Sequence, residues 1–214
     1  MFTAQTQWCV NNKTARNIQY VSMVGDITNE NSTTAWVNGN TSMSLLDATP
    51  PGIPYGIVLG NHDYSGSTTL YGNYFPASRF EGRPYYGGHY GSNNENHFEF
   101  FNSAGMEFIV INISASDQNP TTAQLDWADA LLKTYSTKRG ILVNHSLVNT
   151  GNPATFTGPG QTIYDALKDN PNLFLMLGGH VPGVGRRQDT FNGNTIYSVL
   201  ADYQGEANGG NGWL

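Results

Sequence analysis

Basic residues are scarce in this chain. Ten lysines and arginines stand against sixteen aspartates and glutamates among 214 residues, for a formal net charge of −6. A nucleic-acid footprint needs a basic patch, and apart from Arg186-Arg187 the cations are scattered, so no nucleic-acid partner is indicated. Long apolar runs are missing as well: none approaches the roughly 20 residues that cross a membrane as a helix. The lone cysteine, Cys9, excludes an internal disulfide. Charged residues amount to only 12% of the chain while Asn, Thr, Gly and Tyr abound, a balance that favours a secreted or cell-envelope setting. The first residues, MFTAQTQWCVNNKTARN, carry no basic segment, apolar stretch or cleavage site. They are expected to form a helix rather than a signal peptide, with Thr3 as N-cap and Trp8 and Val10 facing inward.

What is present is an alternation of strands and helices. IQYVSMV, YGIVL, HFEFF, MEFIVINI, ILV, LFLML and TIYSVL read as strands. SMSLLDAT reads as a helix tail broken by Pro50-Pro51. TAQLDWADALLKTY reads as a helix capped by Thr121 or Thr122, with Leu125, Ala128, Leu131 and Leu132 on its apolar face. QTIYDALKDN completes the helices, and residues 64–96 read as a long loop rich in Gly, Tyr and Asn. The pattern is that of a single α/β domain.

Four of the apolar runs end in metal-capable residues. VSMV runs into Gly25-Asp26, YGIVL into Gly60-Asn61-His62-Asp63, ILV into Asn144-His145, and LFLML into Gly178-Gly179-His180. Ligands collect at the carboxyl ends of strands in an open α/β sheet. Carboxylate, amide oxygen and two imidazoles at one edge describe an oxygen/nitrogen metal site suited to manganese, iron or zinc.

These motifs resemble the calcineurin-like metallophosphoesterases, whose signature runs GD, GNH[DE], a later His and GHxH. The resemblance implies a double β-sandwich flanked by helices (α-β-β-α layers) and metal-assisted hydrolysis of a phosphoester by an activated water. It assigns Asp26, Asn61, His145 and His180 as metal ligands. It makes His62 the general acid that protonates the leaving oxygen, with Asp63 orienting the His62 ring. The substrate implied is a small phosphoester, mono- or diester, or another phosphorylated molecule. A purple-acid-phosphatase variant is disfavoured, because that group has a Tyr three residues after the GD aspartate and Asn29 stands here.

Two departures shape the expectations. No first-strand DxH motif is found, and GHxH reads Gly179-His180-Val181-Pro182, so one well-held ion and a weak or absent second are expected. The chain is expected to lack the family's first strand and its C-terminal end, which would leave VSMV as an open edge prone to self-association. Arg186 and Arg187 are candidates for phosphate contact or for a solvated loop, with an ion pair to Asp189 as a further option; His89 and His97 are read as loop and strand start. Trp8, Trp36 and Trp127 are read as core. The competing functional reading is a non-catalytic binding protein that uses the aromatics of residues 64–96 as a surface.

Overall fold

The computed structural model describes residues 2–47 and 52–207. Six helices, α1 (Phe2–Asn12), α2 (Thr33–Asp47), α3 (Tyr71–Tyr74), α4 (Ala77–Phe80), α5 (Thr122–Thr134) and α6 (Gly158–Leu167), accompany nine strands. β1 (Val21–Met23) and β2 (Tyr55–Ile57) form a parallel pair. β3 (Tyr86–His89), β4 (His97–Ser103), β5 (Met106–Asn112), β6 (Arg139–Val143), β7 (Leu173–Gly178), β8 (Gly183–Phe191) and β9 (Asn194–Asp202) form one mixed sheet in the order β3-β4-β5-β6-β7-β9-β8.

Alternation along the strands divides the apolar side chains among three layers. Phe108, Val110, Ile141 and Val143 point from the large sheet toward the small one and meet Val58, Tyr20 and Val24. Ile109, Ile111 and Leu142 point the other way, onto Leu125, Ala128 and Leu132 of α5 and Ile163 and Leu167 of α6. The outer face of β1-β2 packs under α1 and α2 through Ile57, Tyr55, Trp36 and Met43. The result is helix, sheet, sheet, helix, the architecture expected from the motifs.

Local chemistry explains the boundaries. Thr121 Oγ1 accepts from the Gln124 N–H at 3.3 Å, and Gln124 Oε1 accepts from the Thr121 N–H at 2.8 Å. This reciprocal cap starts α5. Ala104 (φ 51°) and Gly105 (φ 77°) supply the two left-handed residues of the β4–β5 hairpin. A tight two-residue turn of this kind needs both.

Several expectations are corrected. The first strand is only three residues long, because the chain bends away once Met23 has paired with Ile57. Residues 64–96 are not an unstructured loop but contain α3, α4 and β3, with Tyr71, Phe75 and Phe80 buried and Trp36 stacked on Tyr74. Aromatic burial, rather than periodicity, holds this insert, so it gave no repeating pattern. Trp36 is core and Trp127 half-buried, but Trp8 is 43% exposed; Thr6 and Cys9 are the buried residues of α1. Thr3 lies inside α1 and bonds Ser42 across to α2 instead of capping the helix. β8 was not foreseen, since its alternate residues face solvent. Pro50-Pro51 lie outside the described residues. Among the described strands β1 pairs only with β2, so its outer edge is open.

A polar knot is buried between the sheets. Glu99 Oε2 accepts from Tyr20 Oη at 2.9 Å and Asn112 Nδ2 at 2.7 Å, while Oε1 lies 3.4 Å from His97 Nε2. His97 Nδ1 is 2.8 Å from the Asn94 carbonyl and therefore carries the proton; Nε2 accepts from the Ile57 N–H at 3.2 Å. Burial pushes the Glu99 carboxyl well up and the His97 imidazole down to about 4. The two are thus a neutral pair rather than an ion pair. For a carboxyl raised on folding, the stabilising contribution is complete below its ordinary value of 4.5 and is lost as pH rises through the folded value. Denaturant titrations at about pH 5 and about pH 8 are predicted to show the parent losing stability relative to Glu99→Gln, by at most about 1.4 kcal/mol per pH unit. Parallel pH curves would contradict a neutral Glu99.

Candidate metal centre

Asp26, Asn61, His145 and His180 each lie within four residues of the C-terminal end of β1, β2, β6 and β7. Those strands belong to two parallel pairs in facing sheets, so the four chain segments leave the sandwich at one rim. The rim brings the sequence-predicted ligands together. One atom each from Asp26, His145 and His180 falls within a mutual 4.8 Å, and Asn61 Oδ1 is 3.2 Å from His145 Nε2. Asp26 Oδ2 lies 3.3 Å from the same nitrogen, and the two imidazole rings stand edge to face with centroids 4.9 Å apart.

The backbone around these residues is crowded and strained. A Cβ on Gly60 would sit 2.2 Å from Asp26 Oδ1, and one on Gly25 (φ 108°) would sit 2.2 Å from His145 Nδ1. Asp26 (φ 52°) and His180 (φ 70°) occupy the left-handed region. A side chain there costs about 1–3 kcal/mol. Glycine neighbours and the left-handed backbone at Asp26 and His180 together let four side chains converge without clash.

Protonation follows from the contacts. His145 Nδ1 is 2.9 Å from the Val24 carbonyl. A carbonyl can only accept, so Nδ1 carries hydrogen and Nε2 faces Asp26 and Asn61. Burial pulls His145 down, but the Asp26 carboxylate and the Val24 carbonyl outweigh it and hold the imidazole above its usual value. Burial likewise pushes Asp26 up, yet His145 and the His62 N–H (3.0 Å) hold it below the ordinary carboxylate range. His180 is lowered by burial and by its neighbour His145, which keeps it neutral with a free lone pair.

This donor set fits a cation. With Nε2 bare, imidazole, amide oxygen and carboxylate would turn lone pairs on one another at 3.2–3.3 Å. A proton or a metal ion relieves that arrangement. Nitrogen and oxygen donors of this mixture suit manganese, iron or zinc.

His62 and Asp63 sit on a single 3₁₀ turn, Asn61–Asp63, that follows β2. His62 is exposed, and its Nδ1 lies 3.0 Å from the Asn29 carbonyl, which leaves Nε2 available to a bound molecule. The expected pairing of Asp63 with that ring is not found. Asp63 is fully buried and accepts four hydrogen bonds: from Gly60 N (2.9 Å), Ile27 N (3.2 Å), Thr28 N (2.8 Å) and Thr28 Oγ1 (2.8 Å). It braces the Asp26 loop against the Asn61 loop, and Asn29 orients His62 through a backbone oxygen that no side-chain motif could reveal. Burial raises Asp63 to about 6 against the pull of its donors. Arg187 pairs with Asp189 at 2.6 Å and stacks on Phe156; it does not reach the rim.

Comparison with known proteins bears on the family and the fold. Residues 5–205 match the sequence model of the calcineurin-like phosphoesterase family. The chain is 34% identical over 227 residues to "Uncharacterized protein YvnB" of Bacillus subtilis (strain 168); the match takes in 100% of this chain and 17% of that protein. The fold is similar to that of a dimetal phosphatase from Danio rerio (TM-score 0.59, 16% identity, 92% of this chain and 76% of that one). It is also similar to GAP50, the anchor in the inner membrane complex of Plasmodium (TM-score 0.53, 14% identity, 93% and 66%).

Two outcomes are predicted. Mn²⁺ affinity, followed by calorimetry at several pH values, will rise with pH, because Asp26 holds the His145 imidazole above its usual value and the ion needs Nε2 bare. Asp63→Asn will lower Mn²⁺ affinity about 10- to 100-fold and cost about 2–4 kcal/mol in denaturant titration, since an amide cannot accept from four donors.

Proposed function

The chain belongs to the calcineurin-like phosphoesterase family, and from that premise we propose that it hydrolyses small phosphomonoesters or phosphodiesters with one tightly held cation. The observation that carries the reading is the meeting of Asp26, Asn61, His145 and His180 at one rim with His62 beside them. Asp26, Asn61, His145 and His180 would hold the ion, and when bound it would offset phosphoryl charge and lower the pKa of a water. The protein's own groups do the rest. Asp26 and the backbone of His62 are tied together at 3.0 Å, so the acid and the ligand keep a fixed spacing. The Asn29 carbonyl holds the Nδ1 hydrogen of His62. That bond aims Nε2 as the donor to the leaving oxygen.

Charge on the substrate supports a metal-dependent route. A groove of about 650 Å³ opens beside Asp26, His145 and His180, and no Lys or Arg is among the residues lining it. A phosphoryl group entering there finds no lysine or arginine to neutralise it. The Danio rerio neighbour is a dimetal phosphatase; here Pro182 stands where a second imidazole would be expected and offers no donor, which supports a single strong site. The alternative, a binding protein with an aromatic surface, is not favoured, because Tyr71, Phe75 and Phe80 of the insert are buried.

The test is hydrolysis of p-nitrophenyl phosphate and bis-p-nitrophenyl phosphate by metal-free protein titrated with Mn²⁺. Turnover of at least one ester is expected to require the ion and to vanish with chelator. His62→Ala should lower kcat about 100-fold or more while Mn²⁺ affinity changes little, whereas His180→Ala should weaken binding of the ion itself. An enzyme that keeps its kcat without His62, or that turns over equally well in chelator, would contradict the assignment.

A further inference from the structure

We infer that Gln118 is a positioning residue for Asn61, fixing which end of the Asn61 amide faces the cation. The inference rests on the metal reading above and concerns a residue that carries no motif. Gln118 lies between β5 and α5, in a loop held at both ends. Leu59 N–H donates to Ser114 Oγ at 2.9 Å, and the Thr121–Gln124 cap fixes the start of α5. Inside the loop, the Gln118 N–H donates to the Ala115 carbonyl at 2.9 Å and Asp117 Oδ1 accepts from the Asn119 N–H at 3.1 Å.

Among the described residues, six other than glycine have positive φ: Asn17, Asp26, Ala104, Gln118, His180 and Asn192. Asn17 follows α1, and Ala104 and Asn192 lie in tight hairpins. Such a backbone is ordinary in hairpins. Asp26 and His180 are candidate ligands. Gln118 (φ 67°) is the remaining one, and its side chain reaches the same rim. Its Nε2 lies 3.5 Å from Asn61 Oδ1, a long hydrogen bond. Strained non-glycine backbone gathers at functional sites, and here it coincides with a contact to a ligand.

The chemistry gives that contact a purpose. An asparagine amide has an accepting end and a donating end of nearly the same shape, and only the oxygen can ligate a cation. His145 Nε2, 3.2 Å from Oδ1, is an ambiguous neighbour. A protonated Nε2 draws the oxygen, but a bare one draws the NH₂ group and would turn the wrong end inward. With its NH₂ group turned to Asn61, as it is here, Gln118 can only donate, so it favours Oδ1 in either case. An oxygen with two lone pairs can serve Gln118 and a cation together.

Gln118→Gly is the suitable variant, because glycine favours the left-handed backbone and should leave the metal-free melting temperature unchanged or slightly raised. Calorimetric titration with Mn²⁺ is expected to show Kd raised about tenfold, the usual scale for groups that orient a ligand. The decisive comparison is the same change made in an Asn61→Asp background. A carboxylate has no wrong end, so there Gln118→Gly should alter Kd less than about twofold. Equal Mn²⁺ affinity for the parent and Gln118→Gly would overturn the inference alone, as would the same loss in both backgrounds, which would mark a merely structural effect. A parent that binds no Mn²⁺ would overturn this inference and the metal reading together.

Discussion

A buried carboxylate can join two loops only if donors meet its lone pairs, and Asp63 meets that condition with three backbone N–H groups and one hydroxyl. Its four bonds run to residues that flank Asp26 on one side and Asn61 on the other. Because each loop ends a strand of the small sheet, the clamp converts strand register into the spacing of Asp26 and Asn61. Gly60 completes it, since any side chain there would drive into Asp26 Oδ1. The large sheet then brings His145 and His180 from the other side, with His145 fixed by a bond across the sandwich to the Val24 carbonyl. Convergence at the rim is therefore a consequence of packing between sheets, and the strain at Asp26 and His180 is held by that packing.

The same two-sheet arrangement accounts for the polarity buried beneath the rim. Tyr20 and Asn112 donate to Glu99 where the sheets meet, His97 lies beside its other oxygen, and burial keeps the acid and the imidazole neutral. Gly56 is the neighbour of this knot; a Cβ there would stand 2.2 Å from the Tyr20 hydroxyl. The candidate ligand set at the rim and the polar knot in the interior thus lie in one two-sheet sandwich but on different strands, one charged and half-open, the other neutral and closed. Stability and metal affinity should respond differently to pH for that reason.

Much of the fold was legible because its strands are uninterrupted apolar runs and its parallel order forces ligands to one edge. The four ligand candidates could be read from GD, GNHD, NH and GH, each a polar stop directly after a strand. What could not be read was acted on by the backbone or by non-local packing. Asn29 works through its carbonyl, Thr28 through its N–H and hydroxyl to Asp63, and Gln118 through a loop conformation with no periodic signature. Asp63 was identified as a functional position but given the wrong partner, because sequence adjacency to His62 suggested a contact that the 3₁₀ turn directs elsewhere. The insert of residues 64–96 was obscured for a related reason: its order comes from aromatic contacts, Tyr71 and Tyr74 on Trp36 and Phe80 on Tyr55, which leave no period in the sequence.

The central claim is that this chain builds one strong cation site from the ends of four strands. A crystal structure of the protein grown with Mn²⁺, with anomalous data collected at the manganese edge, tests it most directly. The account predicts one dominant peak per chain, at a coordination distance of about 2.0–2.3 Å from Asp26, Asn61, His145 and His180. Two peaks of equal strength, or a peak away from those four residues, would contradict it.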